Sequence, residues 1–333
     1  MKKSNSILIL AGEIKSLDKA NYIREYLLNI GNSLAFQRIL KTLQPKSQQK
    51  IYLALNNYSN SFFRLKPFNN VQIINVGLTN SIVDTINIAL FSIRESNIQI
   101  LPITTIPDNK SINYKSCCFS DKSIPKENWS SITYVNKSKV EYFFKNELDS
   151  YGLNSFPFTG RIFVNKFDLK NVIDKLSTED RKDLMKVAQV LISDYKYEIK
   201  HEKWYDIGHK TTYLETKISS ITSRHFNNLR YNKRNNSIIK KSENKEKLFN
   251  EYFYYENLPL DLKKFYPIFF PRKFKKIKKE EVELELEFIS NPNLAEIYLF
   301  KSLGPNAWIR IINSIHNVFK EIYNSDRVIE KGD

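Results

Sequence analysis

Two cysteines and four histidines among 333 residues leave little material for thiol or imidazole chemistry. Cys117 and Cys118 are immediate neighbours, a placement that rarely closes a disulfide and that no zinc site uses. A disulfide scaffold, a zinc module and a redox role are therefore set aside, and a reduced compartment fits. Each cysteine is expected as a small strand residue, one facing in and one facing out. The histidines show no Ser/His/Asp or metal-ligand spacing, so nothing points to a hydrolase. Long apolar runs are missing too. Met1-Lys2-Lys3 followed by residues 7–10 mimics a secretory signal, but the run stops at Gly12-Glu13. No later stretch is long and apolar enough to span a bilayer. A soluble, cytoplasmic protein without a transmembrane segment is the expectation.

Arginine-rich blocks and internal repeats are also absent. The formal charge of +16 comes from lysines spread along the whole chain, together with abundant asparagine and isoleucine, as translation from an A+T-rich genome produces. No specific nucleic acid is expected as a partner. Non-specific binding would betray itself by an affinity falling steeply with salt. The densest basic stretch, residues 272–279, precedes the alternating acids Glu281, Glu283, Glu285 and Glu287, which suits a solvated hairpin whose charges offset one another.

What is present is an ordinary globular composition, 41% apolar and 26% charged, in a chain long enough for two domains. Residues 7–11, 51–55, 71–76 and 98–103 are short continuous apolar runs, the mark of strands buried on both faces. Between them, helical spacing recurs over 22–28, 34–43 and 81–93. Such alternation calls for an α/β fold, a mostly parallel Rossmann-like sheet flanked by helices, with ligands beyond the carboxyl ends of the strands. The loops after Leu10 and Ile103 then share one rim. Shorter strands are expected at 114–119, 131–135 and 158–164, and helices at 169–176, at 178–193 with a capped start at Thr178, and at 211–219. From residue 223 the texture changes to a small β-β-α-β-α unit, with a hairpin over 229–240, a helix at 243–256, a strand at 282–289 and a helix at 305–323.

Four segments over about residues 5–222 resemble the nucleotidyltransferases that make nucleoside-diphosphate sugars and related activated head groups. Leu8-Ile9-Leu10-Ala11-Gly12 is similar to that family's first strand and turn, and Gly31-Asn32-Ser33-Leu34 to its second landmark. Phe158-Thr159-Gly160-Arg161-Ile162-Phe163 resembles the segment lining an acceptor pocket. Trp204-Tyr205-Asp206-Ile207-Gly208 resembles the late motif whose aspartate holds a metal. Its continuation, His209 to Lys217, resembles a branch found in surface-polysaccharide gene clusters, which implies a place in capsule or lipopolysaccharide biosynthesis.

The resemblance implies a phosphate oxygen of a sugar or head-group phosphate attacking the α-phosphorus of a nucleoside triphosphate, with pyrophosphate leaving. It implies nucleotide or nucleotide-sugar contacts at Ala11, Gly12 and Thr104, and acceptor contacts at Thr159, Gly160 and Arg161. Catalytic roles fall to Lys15 and Asp206, and Asp206 with Asp108 would hold Mg2+, the ion such oxygen ligands suit. The sequence departs from the family at three places, one being the absence of the usual lysine at the second landmark, Gly31-Asn32-Ser33-Leu34. The first turn reads Gly12-Glu13-Ile14-Lys15-Ser16-Leu17, where a glycine-rich loop with an arginine is usual, so Lys15 would partly replace that arginine. Thr104 stands where a second metal carboxylate belongs, so Asp108 would have to swing in. Other readings of the same residues stay open: Asp206 as a helix cap, His209 as a structural histidine, Arg161 in a surface ion pair, Trp204 in the core. A catalytically degenerate nucleotide-binding or scaffold protein is the alternative function.

From residue 223 onward the chain resembles the small lobe of aminoglycoside-phosphotransferase or choline-kinase enzymes. Ile238-Ile239-Lys240-Lys241-Ser242 is similar to the strand whose lysine holds nucleotide phosphates, and Glu251 to its helix partner, so an ion pair Lys240–Glu251 is expected. The catalytic loop of such kinases should follow the last helix, where this sequence stops at Gly332-Asp333. A truncated lobe over 223–333 without kinase activity of its own is the expectation.

Overall fold

The computed structural model describes residues 5–11, 29–30, 33–45, 49–55, 70–108, 115–125, 129–136, 139–144, 154–219, 227–232, 234–257, 271–276, 282–289, 293–300 and 303–324. The chain divides into two compact units, one of Met1–Asn29 with Ser33–Tyr213, the other of Ile30–Asn32 with Leu214–Asp333.

From the N-terminus, the chain opens with β1 (Asn5–Ala11), β2 (Asn29–Ile30), whose Ile30 belongs to the second unit, β3 (Ser33–Leu34), α1 (Ala35–Leu43), β4 (Lys50–Leu55), β5 (Val71–Asn75), α2 (Ile82–Leu90) and β6 (Asn97–Pro102). Then come β7 (Thr105–Pro107), β8 (Ser116–Ser120), β9 (Ile124–Pro125), β10 (Ser131–Tyr134), β11 (Val140–Phe143) and β12 (Asn154–Asn165). The first unit closes with α3 (Lys166–Lys175), α4 (Leu184–Ser193), β13 (Glu198–Glu202), β14 (Trp204–Asp206) and the start of α5 (Lys210–Ser219). The central sheet runs β5-β4-β1-β6-β12, and β8 and β13 continue it past β12. The pairs β1–β4, β1–β6 and β4–β5 are parallel, as their continuous apolar runs require. Strand β12 is antiparallel to both β6 and β8, and β13 returns parallel to β8.

Helices cover the sheet because each carries one apolar stripe. Helix α2 starts where the Ser81 hydroxyl accepts the Asp84 amide at 3.0 Å, and it buries Val83, Ile86, Ala89 and Leu90. Burying Val83, Ile86 and Leu90 contributes about 1.5–3 kcal/mol each. The helix expected from Thr178 begins later. Asp180–Lys182 forms one 3-10 turn, and α4 starts after Asp183, whose carboxylate accepts the Met185 amide at 2.9 Å. The better acceptor sits at Asp183, so the cap moved there. The helix expected over 22–28 lies outside the described residues. Cys117 and Cys118 are both buried, because β8 is covered on both faces. Burial pushes both thiols far up, so neither is a nucleophile at neutral pH.

In the second unit, β15 (Asn227–Asn232), β16 (Ser237–Ser242), α6 (Lys245–Glu256), β17 (Pro271–Lys276), β18 (Val282–Glu287), α7 (Leu294–Phe300) and α8 (Pro305–Asn324) follow in order. The strands form an antiparallel sheet β15-β16-β18-β17. Leu248 of α6 packs on Val282 and Leu284 to make a small core. The described part of the basic stretch, residues 272–276, is strand: its backbone places Lys273 opposite Glu285 and Lys275 opposite Glu283. Among the described residues, no helix is long and apolar enough to cross a membrane.

Candidate functional site

Parallel pairing fixes the rim. Leu10 stands opposite Pro102, and the Ile103 amide donates to the Leu10 carbonyl at 2.8 Å, so Ala11 and Thr104 leave the sheet side by side. The chain then turns into β7, on which β14 pairs antiparallel with Asp206 opposite Thr105 and Trp204 opposite Pro107. One further bond, Ile207 amide to Thr104 carbonyl at 2.9 Å, ties the two segments together. Gly208 makes the approach feasible: a Cβ there would lie 3.3 Å from both Thr104 Cβ and Asp206 Oδ1. The end of β1, Thr104 and Asp206 therefore stand in one row. Gly12 and Lys15 lie outside the described residues.

Asp206 is buried and heavily engaged. Its Oδ1 accepts the Gly208 amide at 3.0 Å, and its Oδ2 accepts His209 Nδ1 at 2.7 Å and the Thr212 hydroxyl at 2.5 Å. The carboxylate thus braces the turn from β14 into α5, close to the capping role that the sequence left open, although its partners are mostly side chains. Trp129 meets the His209 ring edge to face, with centroids 4.9 Å apart. Trp204 is half-buried, between the core and ligand-stacking readings.

Asp108 is not brought to Asp206. It sits at the opposite end of the β7–β14 ladder, three residues beyond Thr105, which amounts to about 10 Å of strand. There it pairs with Lys203 at 3.6 Å. Three donors already occupy Asp206, leaving one acceptor position on Oδ1. Among the described residues no group of three His, Cys, Asp or Glu side chains is gathered as a metal site. These residues fit a single-point contact to magnesium carried by a ligand, and they do not fit an ion shared between two carboxylates. The shared Asp206–Asp108 site is corrected on that ground.

The segment Phe158 to Phe163 is placed differently from the expectation. Between Phe158, opposite Phe119, and Ile162, opposite Cys117, β12 carries extra residues in a bulge. Gly160 takes φ +77°, and a Cβ on it would lie 2.8 Å from Pro102 Cγ, so only glycine fits. Arg161 is fully buried, donates to Glu202 at 2.5 Å and lies over the Phe163 ring at 4.7 Å. It is neither a surface ion pair nor within reach of an acceptor phosphate, and both readings are corrected. Thr159, also buried, donates to the Cys118 carbonyl at 3.0 Å, and its own carbonyl accepts the Thr105 hydroxyl at 2.5 Å. The segment is thus a polar brace beneath the rim, joining β12 to β7, β8 and β13. Burial pushes the Glu202 carboxyl up despite Arg161 beside it. The sequence did not single out Glu202, Thr105 or Trp129. Glu202 carried no clear signal, since it is the only buried residue of β13, a strand that is otherwise half-buried or exposed.

In the second unit, Lys240 Nζ and Glu251 form an ion pair, with the two side chains 18% and 25% exposed. The pair joins β16 to α6.

Neither a family model nor a curated protein matches the sequence. Solved structures do match. One is described as a glucose-1-phosphate thymidylyltransferase from Bacillus anthracis, in complex with a sucrose; it superposes with TM-score 0.51 at 12% identity, over 66% of this chain and 97% of that one. HddC from Yersinia pseudotuberculosis gives TM-score 0.47 at 17% identity, over 64% of this chain and 97% of that one. The first likeness shows the fold alone: both proteins are built on a large, mostly parallel sheet flanked by helices.

Proposed function

We propose that this chain binds a nucleoside triphosphate or nucleotide-sugar along the rim formed by Ala11, Thr104 and Asp206, and transfers a nucleotidyl group to a sugar or head-group phosphate. The convergence of three separate segments there carries the reading: the end of β1, the turn after β6 and the β14–α5 turn are stitched together by the Leu10–Ile103 and Thr104–Ile207 bonds. Nucleotidyl transfer asks a protein mainly for in-line positioning and charge neutralisation, so a rigid row at strand ends is the appropriate framework. Magnesium would enter with the triphosphate, and Asp206 Oδ1 would offer it one oxygen. Gly12 and Lys15 belong to this proposal as the phosphate turn, with Lys15 as its cation. The activated product would feed a surface polysaccharide, as the likeness of residues 209–217 to that branch suggests.

The test is pyrophosphate release. The four common nucleoside triphosphates are screened with magnesium against a panel of sugar and head-group phosphates, and at least one pair should turn over. No turnover by any pair, together with no binding, would sink the proposal. One observation favours a second reading, that of a catalytically degenerate nucleotide-binding protein: Asp108 faces Lys203 instead of Asp206. Saturable binding without any pyrophosphate release is the outcome that reading expects. For the second unit, we propose a kinase-like small lobe in which Lys240, held by Glu251, meets nucleotide phosphates.

A further inference from the structure

We propose that His209 and Trp129 together receive a hydroxyl group of the bound ligand, with Asp206 acting as the positioning residue that aims the imidazole. This inference rests on the reading that a nucleotide or nucleotide-sugar occupies the rim.

Asp206 Oδ2 takes His209 Nδ1 at 2.7 Å, which fixes the ring and turns Nε2 to the opposite side. Nε2 is buried and, among the described residues, has no hydrogen-bond partner. The indole Nε1 of Trp129 is in the same condition, and the two rings are in edge-to-face contact, with centroids 4.9 Å apart. Buried polar atoms are nearly always paired in folded proteins, because leaving them unpaired forfeits their hydration without return. Two such atoms in touching side chains, contributed by distant segments, mark a place built for a polar group from outside the chain.

The location agrees. His209 follows Gly208, which lies against Thr104 on the rim. Trp129 precedes Ser130, whose carbonyl accepts the Phe158 amide at 2.8 Å, next to the Thr159–Arg161 bulge. The two nitrogens thus lie where the rim meets β12.

The chemistry selects the ligand group. An indole N–H only donates, whereas Nε2 accepts in the neutral imidazole and donates in the charged one. A hydroxyl carries one donor and two acceptor positions, so it satisfies both nitrogens in either state of the ring. A phosphate oxygen only accepts and leaves the neutral imidazole unpaired. The group is therefore a hydroxyl of the nucleotide ribose or of the activated sugar. Since the two rings are in contact, a hydroxyl bonded to both nitrogens should change the Trp129 fluorescence.

The experiment uses calorimetric titration of the full chain with magnesium, each common nucleoside triphosphate and its 2′,3′-dideoxy counterpart, glucose 1-phosphate, and pyrophosphate. Two variants separate ligand contact from folding. His209→Asn keeps an amide N–H at the Nδ1 position for Asp206 and deletes Nε2, while His209→Gln restores a polar atom near Nε2. We expect about tenfold weaker binding of the hydroxyl-bearing ligand in H209N, equal to about one hydrogen bond, at an unchanged melting temperature. H209Q should recover most of the loss. The same tenfold preference of the native chain for the hydroxyl-bearing form should vanish in H209N, and the ligand-induced fluorescence change should vanish in Trp129→Phe. Loss confined to triphosphates names the ribose, and loss confined to glucose 1-phosphate names the sugar. H209N binding every ligand like the native chain overturns the inference alone, as does an equal loss for pyrophosphate, which would make the contact a phosphate one. A native chain that binds none of these ligands overturns both this inference and the function it rests on.

Discussion

Replacing Arg161 with methionine removes the positive half of an ion pair that has no access to water: Arg161 is 0% exposed and Glu202 4%. The guanidinium donates to Glu202 Oε2 at 2.5 Å, and Thr159 supports the other carboxylate oxygen at 3.2 Å. Removing one partner of a buried pair leaves an uncompensated charge and costs about 3–5 kcal/mol. For a unit of this size that is a melting-temperature drop of roughly 6–20 °C. The double variant Arg161→Met with Glu202→Met should recover most of the loss, because apolar replacement of a whole buried pair is often close to neutral. pH sharpens the test. Burial raises the folded-state pKa of Glu202 above its ordinary value even with Arg161 present. A raised acid costs no stability below its unfolded pKa, and its penalty grows as pH rises through the folded pKa. Arg161→Met should therefore lose more stability at pH 8 than at pH 5, and the double variant should lose that slope. Circular-dichroism melts at both pH values read this out. A single variant melting within about 2 °C of the native chain at both pH values would refute the buried-pair reasoning.

Gly160→Ala forces a Cβ to 2.8 Å from Pro102 at φ +77° and should destabilise by about 2–5 kcal/mol, visible as a lower melting temperature. Gly208→Ala meets Thr104 and Asp206 Oδ1 only at 3.3 Å, so its stability cost should be about 1 kcal/mol, while nucleotide affinity in a titration should fall further because the rim is pushed apart. Lys240→Met leaves Glu251 partly buried without its partner and should cost about 1–2 kcal/mol in a denaturant melt, recovered when Glu251 is also made methionine.

The parallel half of the sheet was legible because its strands are buried on both faces and so read as unbroken apolar runs: residues 7–11, 51–55 and 98–103 stand as β1, β4 and β6. The rim followed from that order alone. The Phe158 to Phe163 segment was legible as a strand, yet its role was not. Arg161 looks like a ligand contact in sequence, and its burial depends on Glu202, 41 residues away, together with a bulge set by the pairing of β12 with β8. Asp206 lies between these cases. Its donors Gly208, His209 and Thr212 are all local, so the turn could be read from their spacing, whereas the failure of Asp108 to approach depends on the β7–β14 register. Trp129 had no sequence signal, since its contact with His209 is made purely by the fold.

Calorimetric titration of the full chain with each nucleoside triphosphate and nucleotide-sugar in the presence of magnesium tests the rim assignment most directly. Saturable one-site binding with a dissociation constant on the order of 1 µM–1 mM is predicted for at least one of them. It should weaken more than about tenfold in Asp206→Asn, whose circular-dichroism spectrum should match that of the native chain, since each tenfold step is about 1.4 kcal/mol of lost interaction. No saturable heat from any of these ligands up to roughly 10 mM, well above the usual range, would contradict it.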